Sequence, residues 1–278
     1  MNAEIQQYIP AVLELAEAAA HRILYYYNQE HSRVQTKSDD SPLTDADLAA
    51  HQILVEGLSK LGNYPVLSEE GEIPPFAIRS QWSSYWLIDP LDGTREFISR
   101  TGEFSVNIAF IHKQVPILGV IADPSAQICY WALRGSPAYQ QSLRGGASSI
   151  PSPLIAASML EADPIDDGAA LKVIVSRTFD PLGAEWLRLQ ARLGAVEYLF
   201  RGSAVKMALI AHRAADLYPR FGLSCEWDTA AGQCILEATG AQLIDIQGLP
   251  LRYNQKASLN NPQFFAFHQS HLASAICG

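Results

Sequence analysis

Apolar side chains recur at helical spacing from the start of the chain, at Ile5, Ile9, Val12, Ala16, Ala19, Ile23 and Tyr27. This period puts them on one face and predicts a single amphipathic helix over residues 3 to 28. The tract from Thr36 to Thr44 is rich in turn formers and too polar to belong to a core. Thr44 or Asp45 then caps a second helix, with Leu48, Val55 and Leu58 turned inward and Gly62 ending it. Beyond Gly62 the period shortens. Apolar runs at 65–68, 85–88, 104–111, 117–122 and 127–131 read as strands of a meander, the third with clear alternation. Lys113-Gln114 and Asp123-Pro124 supply turn signals between them.

Residues 136 to 167 carry Pro151, Pro153 and a Gly145-Gly146 pair and read as a loop, placing a subdomain boundary there. The expected organisation is therefore a first subdomain over 1–150 and a second over 151–278. In the second, strands at 172–176, 196–200, 216–218 and 241–246 alternate with helices at 181–193, 203–211 and 229–238. The fold class that results is α/β, an α+β N-terminal half joined to an α/β C-terminal half.

Composition narrows the function classes. The 278 residues are 48% hydrophobic and 18% charged, enough apolar material for a sizeable core. Twenty Lys and Arg stand against 29 Asp and Glu, a net charge of −9. Nucleic acid is therefore an unsuitable partner, because coating a polyanion takes a basic surface. A small phosphorylated substrate remains admissible if bound metal ions invert the local field. No apolar run reaches 18 residues, so no membrane span is expected. The first ten residues lack the pattern of a signal peptide. Cys129, Cys225, Cys234 and Cys277 show no paired spacing, which suits reduced thiols and a cytoplasmic setting.

Three acidic clusters fall where strands end or a helix begins: Ser68-Glu69-Glu70, the run D-P-L-D-G-T from Asp89 to Thr94, and Glu226-Trp227-Asp228. Carboxylates at the ends of apolar strands are poorly solvated and need raised pKa values or cationic partners. Arg95 is the nearest base in sequence. Hard oxygen ligands without His or Cys suit Mg²⁺ or Mn²⁺ rather than zinc. In the middle run Pro90 fixes one φ angle and Gly93 permits a tight turn, so Asp89, Asp92 and the Leu91 carbonyl can converge. Two ions sharing Asp89, ~3.5–4 Å apart, is the arrangement of two-metal phosphoryl hydrolysis. A helix begun at Thr94 can also offer N–H groups to a phosphate. Taken alone, the run reads equally well as a polar turn capping a helix.

The set of clusters resembles the inositol monophosphatase superfamily of metal-dependent phosphatases. The resemblance is carried by Ser68–Glu70, by W-L-I-D-P-L-D-G-T from Trp86 to Thr94, and by W-D-T-A-A-G from Trp227 to Gly232. Within it the likeness is nearest to the CysQ-type 3′(2′),5′-bisphosphate nucleotidases. That narrower match rests on Ser41–Asp47, Gly102–Ala109, Pro116–Val120 and L-Y-P-R-F-G from Leu217 to Gly222. It spans about residues 10 to 266. The resemblance implies a layered α/β/α/β/α sandwich. It implies that Glu69, Asp89 and the Leu91 carbonyl hold one Mg²⁺, and that Asp89, Asp92 and Asp228 hold a second. By the same resemblance Glu69 would reach a third, weaker ion, Mn²⁺ would substitute, and Glu69 and Thr94 would orient the attacking water with help from Asp47. The Gly93 and Thr94 amides, beside the Leu91 carbonyl and the carboxylates, meet the phosphate. Ser203, Lys206 and Arg220 match positions that hold the nucleotide and its second phosphate.

The implied reaction is Mg²⁺-dependent hydrolysis of the 3′-phosphate of adenosine 3′,5′-bisphosphate to AMP and phosphate, inhibited by Li⁺ and serving sulfur metabolism. One departure stands out: Phe179 occupies the place of a usual histidine, in S-R-T-F from Ser176. It favours, by that much, an inositol-1-phosphate or sugar-phosphate phosphatase on the same metals. A reading of another class is a regulatory binding protein without turnover. The seven histidines form no sequence-close ligand set, and Tyr25–Tyr27 reads as packing. Cys225 reads as a small buried residue near the site. Neither monomer nor homodimer is favoured.

Overall fold

The computed structural model describes residues 2–29, 34–36, 42–145, 150–154 and 170–277. The chain begins with α1 (Asn2–Gln6) and α2 (Ile9–Tyr27), two helices where the apolar period predicts one. Pro10, in the first turn of α2, has no N–H for the Gln6 carbonyl, and its ring crowds that carbonyl, so the first helix stops. An antiparallel pair of β1 (Val34–Thr36) and β2 (Pro42–Thr44) precedes α3 (Asp45–Leu58). The buried stripe of α3 is Ala46, Asp47, Ala50, Leu54 and Leu58. Leu48, expected inward, is exposed. The four-residue spacing of Ala46, Ala50, Leu54 and Leu58 sets the packed face, and its small residues let α3 lie against α2.

Next come β3 (Val66–Ser68), α4 (Phe76–Arg79), β4 (Ser84–Asp92), α5 (Thr94–Ile98), β5 (Ser105–His112), β6 (Val115–Asp123), β7 (Ile128–Leu133), β8 (Ala138–Ser142) and β9 (Ser152–Pro153). The seven strands β3 to β9 form one sheet in sequential order, parallel between β3 and β4 and antiparallel elsewhere. β8 and β9 lie in the stretch expected to be loop. Their polar sequences hide the pairing of β8 with β7 and of the edge strand β9 with β8.

The remainder holds β10 (Leu171–Val175), α6 (Ala184–Leu193), β11 (Val196–Phe200), α7 (Val205–Ala211), β12 (Leu217–Arg220), α8 (Glu226–Ala238), β13 (Gln242–Asp245), β14 (Phe264–Phe267) and α9 (Ser270–Cys277). Its five-stranded sheet has the order β11-β10-β12-β14-β13. β14, unanticipated, fills the gap between β12 and β13 and runs antiparallel to both. The first sheet ends at Pro153 and the second starts at Leu171.

Five layers result. α2 and α3 cover one face of the seven-stranded sheet, α7 and α8 lie between the sheets, and α6 and α9 cover the far face of the five-stranded sheet. β4 and β5 are therefore buried on both faces. Trp86, Ile88, Val106, Ile108 and Phe110 enter the core beneath α2 and α3. Tyr85, Leu87, Ala109 and Ile111 enter the core beneath α8. The alternation in β5 thus sorts residues between two cores rather than between core and water. Fully burying a side chain such as Ile88 or Phe110 contributes roughly 1.5–3 kcal/mol, so the strand that ends at Asp92 is held firmly.

Candidate metal and phosphate site

The centre of the site is the C-terminal end of β4. β3 runs parallel to β4, and the Glu69 N–H donates to the Ile88 carbonyl at 3.2 Å, one residue beyond β3. This last rung places Glu69 beside Asp89. The register of β4 against β5 shifts between Asp89 and Asp92, so Pro90 and Leu91 bulge out of the ladder. The Leu91 N–H folds back onto Asp89 Oδ1 at 3.1 Å. Gly93 closes the turn at φ +95°, where a Cβ would also sit 2.8 Å from the Glu103 carbonyl oxygen. No other residue suits that place.

Asp228 arrives from the opposite side. It is the third residue of α8, and its Oδ2 accepts the Cys225 N–H at 2.8 Å. Glu69, Asp89 and Asp228 each bring a carboxylate oxygen within 4.8 Å of the others. Asp89 is buried. Burial pushes its carboxyl well above the usual range, and the charges of Glu69, Asp92, Asp228 and Glu70 push it the same way. Asp228 is raised to about 8, chiefly by burial and then by Asp92, against the Cys225 N–H and Arg220. Asp92 sits at the rim, where its Oδ2 accepts the Ala204 N–H at 2.5 Å and the Asn107 side-chain amide at 3.4 Å. Hard, mutually repelling, buried oxygens of this kind fit one or more divalent cations, whose charge removes the repulsion.

Thr94 and Asp47 meet on the α3 side. The Thr94 hydroxyl lies 3.0 Å from Asp47 Oδ1 and 3.3 Å from the Leu91 carbonyl. The other Asp47 oxygen accepts the Thr44 N–H at 2.7 Å and the Thr44 hydroxyl at 2.5 Å, completing the cap of α3. Three residues that sequence reasoning passed over also support the site. His51, one turn after Asp47, pairs through Nδ1 with the Ser68 hydroxyl at 2.8 Å, and that oxygen accepts the Glu70 N–H. Burial lowers the His51 pKa. Asn107 and Glu103 flank Asp92 and Gly93. Glu103 and Asn107 both lie inside the quoted Gly102–Ala109 run, which left a signal without a role for either; His51 left none. Cys225 is half-buried, not buried, and caps α8.

A cavity of about 170 Å³ opens beside Asp92 and Asp228, and Ser203, Lys206 and Arg220 line its other side. Lys206 is buried, with Nζ donating to the Ser203 carbonyl at 2.6 Å and lying 5.1 Å from the Tyr218 ring centre. Arg220 donates to the Leu223 carbonyl at 2.5 Å, while its buried Nε has no partner among the described residues. A second cavity of about 500 Å³ shares Arg95, Ser176, Thr178 and Arg220 with the first. Phe179 lines this one, packed edge-on against Trp186. Of the expected residues, Asp92, Gly93, Ser203, Lys206, Arg220 and Asp228 line the first cavity, whereas Asp47, Glu69, Asp89, Leu91 and Thr94 line neither.

Residues 4–277 match the model of the Inositol monophosphatase family. The 3′(2′),5′-bisphosphate nucleotidase CysQ of Salmonella typhimurium is 40% identical over 260 residues, covering 91% of this chain and 96% of that protein. CysQ of Escherichia coli strain K12 is 39% identical over 255 residues, with the same coverage. The crystal structure of CysQ from Bacteroides thetaiotaomicron, a bacterial member of the inositol monophosphatase family, superposes with a TM-score of 0.76. It is 38% identical, and the match covers 95% of this chain and 97% of that one. The chain belongs to the inositol monophosphatase family.

Proposed function

We propose that this inositol monophosphatase family member is a divalent-metal-dependent 3′(2′),5′-bisphosphate nucleotidase, which hydrolyses the 3′-phosphate of adenosine 3′,5′-bisphosphate to AMP and phosphate. The observation that carries the reading is the convergence of Glu69, Asp89 and Asp228 beside a cavity lined by Lys206 and Arg220. The identity of about 40% with nucleotidases over nearly their whole length selects the substrate class.

In this reading Glu69, Asp89 and the Leu91 carbonyl hold one Mg²⁺, and Asp89, Asp92 and Asp228 hold another. A third, weaker ion at Glu69, replacement by Mn²⁺, sensitivity to Li⁺, a cytoplasmic place and a role in sulfur metabolism belong to the same proposal. When bound, the ions supply Lewis acidity and lower the pKa of the attacking water. The protein groups do the rest. The Thr94 hydroxyl, by donating to Asp47, keeps its oxygen lone pairs free to accept a hydrogen bond from the water, which Glu69 also orients, and as the water proton moves to Thr94 the Thr94 proton passes to the Asp47 carboxylate. Water oxygen bonds to phosphorus as the bond from phosphorus to the 3′-oxygen breaks, and the leaving 3′-oxygen takes up a proton. The Gly93 and Thr94 amides receive the scissile phosphate. Ser203, Lys206 and Arg220 receive the 5′-phosphate, and Phe179 in the adjoining cavity offers apolar contact to the base. No helix among the described residues is long and apolar enough to cross a membrane.

The test is a panel of adenosine 3′,5′-bisphosphate, inositol 1-phosphate and fructose 1,6-bisphosphate, each with Mg²⁺ and with a chelator. Preferred hydrolysis of the first, abolished by chelation, is the expected result. A preference for inositol 1-phosphate installs the sugar-phosphate reading, for which Phe179 speaks because it lacks a hydrogen-bond donor. Absence of turnover on all three with Mg²⁺ present installs a binding protein.

A further inference from the structure

Glu103 stands in the short link between α5 and β5, and no catalytic or binding role described so far uses it. Its carboxylate is saturated. Oε1 accepts from Arg177 Nη2 at 2.7 Å and Arg201 Nη1 at 3.1 Å; Oε2 accepts from Arg177 Nε at 2.8 Å and the Gly202 N–H at 3.0 Å. Four donors fill the four lone-pair positions of an ionised carboxylate, and the Arg177 pair is bidentate. All four come from the second half of the chain. Glu103 comes from the first.

The partners are the backbone supports of the substrate cavity. Arg177 lies between Ser176 and Thr178, which line both cavities. Gly202 begins the turn Gly202-Ser203-Ala204, and a Cβ on Gly202 would come 2.5 Å from the Glu103 carbonyl oxygen. Ser203 sits in that turn at φ +52°, a left-handed conformation that a residue with a side chain adopts only when its neighbours impose it. The neighbours are fixed at both ends: the Gly202 N–H by Glu103 and the Ala204 N–H by Asp92.

We propose that Glu103 is a positioning residue, whose carboxylate ties together the Ser176–Thr178 and Gly202–Ala204 walls of the cavity and, through the Ala204 N–H, holds Asp92 in place for its ion. Burial alone raises the Glu103 carboxyl, but the bonds from Arg177, Gly202 and Arg201 outweigh it and hold it below the usual range. The carboxylate is therefore ionised throughout the working range. Both arginines are about half exposed, at 48% and 55%. The Glu103 side chain itself is only 9% exposed, so losing the clasp also lowers stability, and its role in geometry is read from kcat/KM and Mg²⁺ affinity rather than from Tm. The proposal rests on the phosphatase reading for the role given to Asp92.

Glu103→Gln is the test, because the amide keeps one acceptor oxygen and points an N–H₂ at donors. Three quantities are measured: Mg²⁺ affinity by calorimetry without substrate, kcat and KM for adenosine 3′,5′-bisphosphate well below Tm, and Tm itself. Glu237→Gln, which removes the ion pair with Arg134 outside both cavities, is the control for loss of a surface charge pair. Removing the groups that orient metal ligands characteristically costs about 10–100-fold in affinity or activity. The expected result for Glu103→Gln is a fall of that size in kcat/KM and an Mg²⁺ Kd raised about 10-fold, while Glu237→Gln leaves both unchanged. Wild-type kcat/KM and Mg²⁺ affinity in Glu103→Gln, with or without a lower Tm, overturns the proposal. If Glu103→Gln does not fold, Arg177→Gln leaves the Arg201 and Gly202 donors in place. It is expected to raise KM about 10-fold through the Ser176–Thr178 wall, on the same scale, with Mg²⁺ affinity kept; an unchanged KM overturns the proposal. A wild-type protein that binds no Mg²⁺ and turns over no phosphate ester would instead remove the phosphatase reading itself.

Discussion

The Thr94 hydroxyl lies 3.0 Å from Asp47 Oδ1 across 47 residues of sequence. Asp47 is fully buried and its other oxygen is committed to the cap of α3. Helix initiation and, in the proposed mechanism, water orientation therefore depend on the same carboxylate. Thr94→Val removes the hydroxyl but little volume, and is expected to lower kcat by about 10²-fold, the low end of what a positioned proton-transfer group supplies. Thr94→Ser retains most of the activity. Steady-state kinetics on the two variants, with Tm recorded for each, decides the matter: a valine variant as active as wild type removes Thr94 from the water site.

Asp89 separates metal binding from stability. With Glu69, Asp92, Asp228 and Glu70 all pushing against its charge, the metal-free protein holds a repulsive cluster. Asp89→Asn relieves it, so the variant in EDTA is expected to melt higher than wild-type protein in EDTA. With Mg²⁺ the order reverses. A ligand at about 100 times its Kd stabilises the native state by about 2.7 kcal/mol, and the variant forfeits most of that along with turnover. Thermal melts of both proteins with and without Mg²⁺ read this directly; equal Mg²⁺-induced shifts would contradict a shared ligand at Asp89.

Asp228 gives the same cluster a pH signature. Its carboxyl moves from the ordinary 3.8 to about 8 in the folded, metal-free protein. Between those values the native state binds the proton and the unfolded state has released it, so stability falls as pH rises. Measured in EDTA from pH 4 to 8, the Tm of wild type is expected to decline relative to that of Asp228→Asn. Saturating Mg²⁺ should flatten the difference, because the ion then holds the carboxylate charged in the folded protein as well. Parallel pH profiles in EDTA would refute the assignment of that shift to Asp228.

What was legible in the sequence was whatever is encoded locally. Glu69, Asp89, Asp92 and Asp228 stand out because each follows an apolar strand or opens a helix, and the strands through Ile88 and Ile111 advertise themselves by composition. Features fixed by tertiary pairing did not show. β8 and the edge strand β9 are polar, β14 sits between strands distant in sequence, and the apolar period points Leu48 inward although the small residues Ala46 and Ala50 set the packed face of α3 and leave Leu48 exposed. Pro10 carried a readable local signal against one unbroken helix, and the apolar period overrode it. In the site, the support given by His51 and Glu103 depends on partners 17 to 99 residues away, a relation that no local pattern expresses.

Arg220 offers the sharpest discrimination between substrates. Its Nε is buried without a partner among the described residues, and the guanidinium lies where both cavities meet. In the proposed reading a phosphate away from the scissile one would satisfy that nitrogen, and charge-assisted hydrogen bonds of this kind are worth roughly 1.5–3 kcal/mol. At 1.4 kcal/mol per decade, Arg220→Ala should lower kcat/KM for adenosine 3′,5′-bisphosphate by about 10- to 100-fold. Arg220 also lowers the Asp228 carboxyl, so its removal weakens the metal site to some degree for every substrate. The ratio of kcat/KM between adenosine 3′,5′-bisphosphate and 3′-AMP cancels that shared loss. The ratio is expected to collapse in Arg220→Ala and to persist in Phe179→His, whose imidazole adds a donor beside the base cavity without touching the second phosphate. A ratio unaltered by Arg220→Ala would place the second phosphate elsewhere and leave Lys206, 5.1 Å from the Tyr218 ring centre, as the cation to examine.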